Sequence, residues 1–151
     1  MNDPVAILKR DHREVADMLK TLESSKPGPR RRSTVDKLTA ALELHMDIEE
    51  RDVYPLVEEF VGEEEAEEAT VEHGLARNGL RQLNALVDEP GFGAVVSMLT
   101  AGIRHHVREE EHEVFPELKR QLDRDELREL GDTVAAAKKQ RRSRARSGAA
   151  R

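Results

Sequence analysis

The sequence predicts an all-α protein: an up-down-up-down antiparallel four-helix bundle, then a short extra C-terminal helix and a disordered basic tail. Three observations carry this expectation. Four long stretches place apolar residues three or four apart, the spacing of one buried helical face. Breaks rich in Pro or Gly separate them. The second half of the chain also repeats the first at an offset of 61 residues, so the unit is a pair of helices used twice. The expected divisions are a bundle over 1–122, an accessory helix over 123–139 and a tail over 140–151.

The repeat is plainest where His45-Met46-Asp47-Ile48-Glu49-Glu50-Arg51-Asp52-Val53-Tyr54-Pro55 returns as His106-Val107-Arg108-Glu109-Glu110-Glu111-His112-Glu113-Val114-Phe115-Pro116. Asp11-His12 maps onto Glu72-His73 in the same way, and Leu19, Leu22, Leu38 and Leu42 map onto Leu80, Leu83, Leu99 and Ile103.

In the first helix Asp3-Pro4 supplies an N-cap followed by Pro at the first helical position. Leu8, His12, Val15, Leu19 and Leu22 form its stripe. Ser24 to Arg32, with two Pro and a Gly, reads as a loop. Ser33-Thr34-Val35-Asp36 resembles a capping box opening the second helix, whose inner face is Leu38, Leu42, His45, Glu49, Asp52 or Val53, Leu56 and Phe60. Pro55 is expected to kink or end that helix.

Glu63-Glu64-Glu65 suits the N-terminus of the third helix, where the macrodipole favours negative charge. Its stripe is Ala66, Ala69, His73, Ala76, Leu80, Leu83 and Val87, closed by the turn Asp88-Glu89-Pro90-Gly91. The fourth helix begins near Phe92 and turns Val95, Leu99, Ile103, His106, Glu110 and Val114 inward. Asp123 caps the accessory helix, expected from Arg124 to about Lys138 with Leu127, Leu130, Val134 and Ala137 covering the bundle. From Gln140 onward apolar periodicity is lost and disorder is expected.

The 151 residues suffice for one domain with a real core. Charged and apolar residues each make up 37%, and there are three Phe, one Tyr and no Trp, a balance suited to an aliphatic bundle with a solvated exterior. With no Cys, disulfides and thiolate metal sites are excluded. Charged residues interrupt the N-terminus before any apolar run develops, so neither a signal peptide nor a membrane span is expected, and the location expected is cytoplasmic. The net charge of −6 conceals an asymmetry. Seven of the 25 Lys and Arg lie in 138–151, which leaves 18 against 31 acidic residues in the body, a formal −13. That body should repel nucleic acid, and the tail reads as a solvated terminus without interleaved aromatics.

Each of the four stripes carries a polar residue where an aliphatic one would pack. His12, His45, His73 and His106, with Glu49 and Glu110 four residues after the second and fourth His, would meet near one level of such a bundle. Protonated His paired with Glu could fix the fold without a metal. That alternative does not account for all four helices placing His at a common level, whereas bound cations account for the His and for the buried carboxylates together. Carboxylate-rich bundle sites hold paired iron or manganese. Two iron ions with an oxo or hydroxo bridge are the expected cofactor.

His12, His45-x-x-x-Glu49, His73 and His106-x-x-x-Glu110, followed by Tyr-Pro or Phe-Pro, resemble the hemerythrin family in its HHE cation-binding branch, over about residues 5 to 120. The resemblance implies a four-helix bundle around a non-haem di-iron centre, with the six His and Glu as ligands, the carboxylates bridging, and O2 binding at the less saturated iron. The oxygen-carrying members have a further ligand His four residues after the first on the third helix, and here Arg77 stands there. Without it the site has either another protein ligand or an extra open position, and more exchangeable coordination favours reaction with H2O2, O2 or NO over oxygen storage.

Catalase-like decomposition of H2O2 is the function expected first, and a reversible O2 binder or an iron or redox sensor without turnover is the alternative. Tyr54 is a candidate for the open position, although an ideal helix turns it about 180° from His45. Its counterpart is Phe115, and packing is the competing role. His105 and His112 are expected at the surface or behind the ligands. Glu50 and Glu111 are placed to orient a ligand from behind, with an exposed helical position as the default. A monomer is the favoured assembly.

Overall fold

Asp3 caps the first helix as its sequence requires, its carboxylate accepting hydrogen bonds from the backbone N–H groups of Val5 at 2.9 Å and Ala6 at 3.3 Å. The computed structural model describes residues 2–149, without the side chains of 145–149. Among the described residues every regular element is a helix: α1 (Pro4–Glu23), α2 (Pro29–Ile48), a π-helical turn (Glu49–Val53), α3 (Tyr54–Phe60), α4 (Glu63–Ala85), α5 (Phe92–Glu109), a second π-helical turn (Glu110–Val114), α6 (Phe115–Gln121) and α7 (Arg124–Ala149). They form a helical bundle in which α1 packs on α2, α5 and α7, and α4 packs on α5, α2 and α3.

Two helix boundaries depart from the sequence expectation. Helix α2 starts at Pro29, one turn before the proposed box at Ser33. The reason is tertiary. Arg31 is buried and donates to Ser25 Oγ, to the Ser25 carbonyl and, at 3.0 Å, to the Val87 carbonyl, while its guanidinium lies 4.0 Å from the centre of the Phe92 ring. Two loops are thereby tied to the first turn of α2, and Gly28 takes φ 138°, a conformation that L side chains rarely adopt.

The second departure is α7. The accessory helix expected to stop near Lys138, and the disorder expected from Gln140, give way to a helix running through Ala149; Ala150 and Arg151 lie outside the described residues. Arg, Lys, Gln and Ala are strong helix formers, and no Pro interrupts them. Lost apolar periodicity ends burial, not helix. The helix starts as expected: Asp123 and Glu126 cap reciprocally, Glu126 N–H donating to Asp123 at 2.8 Å and Asp123 N–H to Glu126 at 3.0 Å.

The core falls into two aliphatic clusters. One gathers Val5, Leu8, Ile48, Val57, Phe115, Leu118 and Val134, the other Val15, Leu19, Leu38, Leu42, Leu80, Leu83 and Leu99. Along α1, α4 and α5 the buried His falls where one cluster gives way to the other.

Candidate metal centre

Pro55 and Pro116 explain the two π-helical turns. Proline has no N–H to donate, and its ring collides with the carbonyl four residues back, so the helix before it widens. In the first turn the Tyr54 N–H bonds to the Glu49 carbonyl, five residues back, and in the second the Phe115 N–H bonds to Glu110 likewise. The expected kink or stop at Pro55 is thus a widening that the chain passes through. A five-residue turn stacks residue 54 above residue 49, which corrects the expectation that Tyr54 faces away from His45.

The six expected His and Glu come together in the interior. All are buried, Glu49 at 0% exposure and Glu110 at 2%. They divide into two overlapping groups whose ligand-type atoms lie within 4.8 Å of one another: His12, His45, Glu49 and Glu110, and Glu49, His73, His106 and Glu110. The His12 and His45 rings are 4.9 Å apart between centres, and those of His73 and His106 4.8 Å. Both groups contain both carboxylates. Either group could hold a metal ion, and Glu49 and Glu110 lie within reach of both.

Each imidazole is held from behind by a carboxylate. Nδ1–H of His12 donates to Glu111 at 2.7 Å, that of His45 to Asp11 at 2.9 Å, that of His73 to Glu50 at 2.9 Å and that of His106 to Glu72 at 2.8 Å. The four contacts obey the 61-residue repeat, Asp11 to His45 matching Glu72 to His106, and Glu50 to His73 matching Glu111 to His12. Donation at Nδ1 leaves the Nε2 lone pair of a neutral ring facing the centre, the tautomer a metal needs.

Asp11 and Glu72 were not singled out as functional from sequence. The mapping of Asp11-His12 onto Glu72-His73 was the signal available. Asp11 in turn pairs with Lys138 of α7. Arg77 does not enter the centre; it binds Glu50 at 2.7 Å, Asp47 at 3.2 Å and Glu43 at 3.3 Å. His105 is exposed beside Glu109, and His112 is exposed.

Next to the buried carboxylates the two halves differ at Tyr54 and Phe115. The Tyr54 hydroxyl donates to Glu110 Oε2 at 2.7 Å and lies 2.9 Å from His73 Nε2 and 3.3 Å from both His106 Nε2 and Glu49 Oε1. In the other half Phe115 stacks on His12, with ring centres 6.1 Å apart and planes 7° from parallel.

The electrostatics of the protein chain alone are unbalanced. Burial pushes the His45 imidazole down, but the Glu49 charge beside it and the Asp11 hydrogen bond behind it outweigh that and hold the ring at about 10. Burial also opposes charge on His106, where Glu110 and Glu49 raise it to about 11. Burial raises Glu49, and the surrounding imidazoles drive it well below the usual carboxylate range. Burial and the two carboxylates push the Tyr54 phenol far up.

Protonated His alone does not satisfy the site. His12 Nε2, His45 Nε2, Glu49 Oε2 and Glu110 Oε1 have no hydrogen-bond partner. His12 Nε2 is 3.2 Å from Glu110 Oε1 and His45 Nε2 is 2.9 Å from Glu49 Oε1, so these are close charge contacts without hydrogen-bond directionality. Unpaired buried atoms of this kind are costly. Nitrogen and oxygen donors converging with free lone pairs fit a cation.

A family model described as Hemerythrin HHE cation binding domain matches residues 3–118. A DNA nickase from Nostoc sp. (strain PCC 7120) is 26% identical over 133 residues, covering 87% of this chain and 38% of the nickase, so the chain spans well under half the length of that relative. No solved structure matches the chain. No described helix is long and apolar enough to cross a membrane.

Proposed function

The chain belongs to the hemerythrin family of HHE cation-binding domains, and on that premise we propose that its buried cluster holds two oxo- or hydroxo-bridged iron ions and decomposes H2O2, with O2 and NO as related reactants. His12 and His45 would hold one ion and His73 and His106 the other, Glu49 and Glu110 reaching both. When bound, an iron pair would supply two electrons to one H2O2, which with two protons leaves as two waters, and recover two electrons from a second H2O2, which gives up its two protons and leaves as O2. In this reading the long helices run up-down-up-down.

The observation that carries the reading is the set of four buried, unpartnered donor atoms on His12, His45, Glu49 and Glu110. Tyr54 Oη is the additional oxygen donor at the His73 and His106 side. Without cations, burial and two carboxylates keep its proton in place; replacing that negative field by the positive charge of two cations reverses the bias and favours a phenolate. Phe115 offers no donor on the other side, so the exchangeable positions, and hence the small oxidant, are assigned to the His12 and His45 half. The outer carboxylates keep each ring aimed inward while ligands exchange.

The formal −13 of the body outside 138–151 supports small molecules rather than nucleic acid as partners, and a cytoplasmic monomer completes the reading. The nicking activity in the relative's name belongs to a much longer protein and is not carried onto this one. Metal analysis should return close to two Fe per chain, and peroxide added to the iron-loaded protein should evolve O2. A rate no greater than that of free iron removes the proposal.

A further inference from the structure

A small oxidant accounts for the His and Glu cluster but not for the space beside it. A cavity of about 500 Å3 starts at the rings of His12, His45, His73 and His106 and extends between α4 and α5. A water-sized ligand needs only about 10–15 Å3 of such space, and this groove is open to the surface.

The inner wall is aliphatic, with Leu42, Met46 and Ile103, and small residues keep the seam between the two helices open. A Cβ on Gly102 would meet nothing within 4 Å, whereas one on Gly79 would lie 2.8 Å from Leu99 Cδ1, with Leu99 Cγ and Cβ also within 4 Å, so Gly79 makes room for Leu99 and Gly102 is the open position. At the cavity's edge Leu75 is 65% and Met98 78% exposed, unusual for large apolar side chains. Glu72 is the one acid in the lining, and His106 Nδ1 already occupies it. The other polar groups along the seam are few, Asn78, Gln82 and His105, the last held by Glu109 at 3.0 Å, and no Phe, Tyr or Trp is there to stack on a planar ligand.

We propose that this groove binds the aliphatic chain of an amphiphile whose oxygen head group reaches the histidine end, so that the centre takes a chain-bearing ligand. Only the anchoring of the head group rests on the metal reading above. The chain's own contacts are with Leu, Ile, Met and the open glycine seam.

Calorimetric titration of the Zn2+-loaded protein, which cannot turn over peroxide, with acetate, hexanoate, octanoate and decanoate tests this. Affinity should rise roughly fourfold for each methylene buried, and the same increment should appear, from a weaker base, in the metal-free protein. Gly102→Leu should lower decanoate affinity by at least about tenfold while leaving acetate unchanged; its side chain enters open space, and replacing a helical Gly favours folding.

Affinity independent of chain length, or decanoate binding untouched by Gly102→Leu, overturns the proposal. So does a dimer that Leu75→Glu dissociates while decanoate fails to bind, because a second copy then covers the groove. The two proposals fail separately. Chain binding without peroxide turnover removes the peroxide reading alone, and turnover without chain binding removes this one alone.

Discussion

Replacing Tyr54 by Phe removes one oxygen atom from the middle of the cluster and little else, which makes it the sharpest probe of how the two halves differ. In the metal-free protein the hydroxyl donates to a buried carboxylate at 2.7 Å, and hydrogen bonds to charged groups are worth about 1.5–3 kcal/mol. A loss near 2 kcal/mol should lower the Tm of a chain this size by about 4–8 °C. Iron loading should change the sign of the comparison's interest: wild-type protein should show a visible phenolate-to-iron charge-transfer band, and Tyr54→Phe should lose it while still retaining both irons. Calorimetry of the metal-free pair and absorption spectra of the iron-loaded pair measure the two effects. A band that survives in Tyr54→Phe, or a wild-type spectrum without one, refutes the assignment of Tyr54 as a ligand.

Phe115→Tyr should place a second phenol above Glu110 by the same π-helical geometry and add phenolate intensity on the His12 side; an unchanged spectrum would mean the two halves are not equivalent in backbone shape. Asp11→Asn removes the charge behind His45 Nδ1 and should weaken metal binding by about 10- to 100-fold, read by chelator competition, with the related Glu72→Asn costing a similar factor through His106. In the metal-free protein His45 and His106 are raised to about 10 and about 11. Their stabilising contribution is therefore complete below the unfolded value near 6.5 and is lost as pH rises through 10 to 11; urea midpoints that stay flat from pH 8 to 11 would contradict this. Because both rings carry protons at pH 8 without metal and must be neutral to bind it, metal loading there should release about two protons from them, measurable by pH-stat.

Much of the centre was legible because its logic is local. His and Glu four apart share a helical face whatever the rest of the chain does, and a 61-residue repeat doubles any local motif. The carboxylates behind the rings were half legible: Glu50 and Glu111 stand next to the ligand Glu, but Asp11 serves His45 on another helix, and Glu72 serves His106. A residue next to one His and bonded to a different one is invisible until the helices are packed. The ties of Arg77 to Glu50, Asp47 and Glu43 emerged only from the fold.

What the sequence alone determined is the inventory and its periodicity: four amphipathic helices, six buried donors on their inner faces, an acidic body and the duplication that makes the centre two-sided. The tertiary structure decided what periodicity cannot encode. Arg31 ties two loops together and so starts α2 a turn early. Residues 140–149 remain helical after their apolar pattern ends. Two prolines widen the helix by one residue and swing Tyr54 over Glu49. A regular helix gives each residue a fixed direction, so inference from spacing holds until one hydrogen bond shifts from i+4 to i+5. From that point every side chain is rotated, and only the folded backbone records by how much.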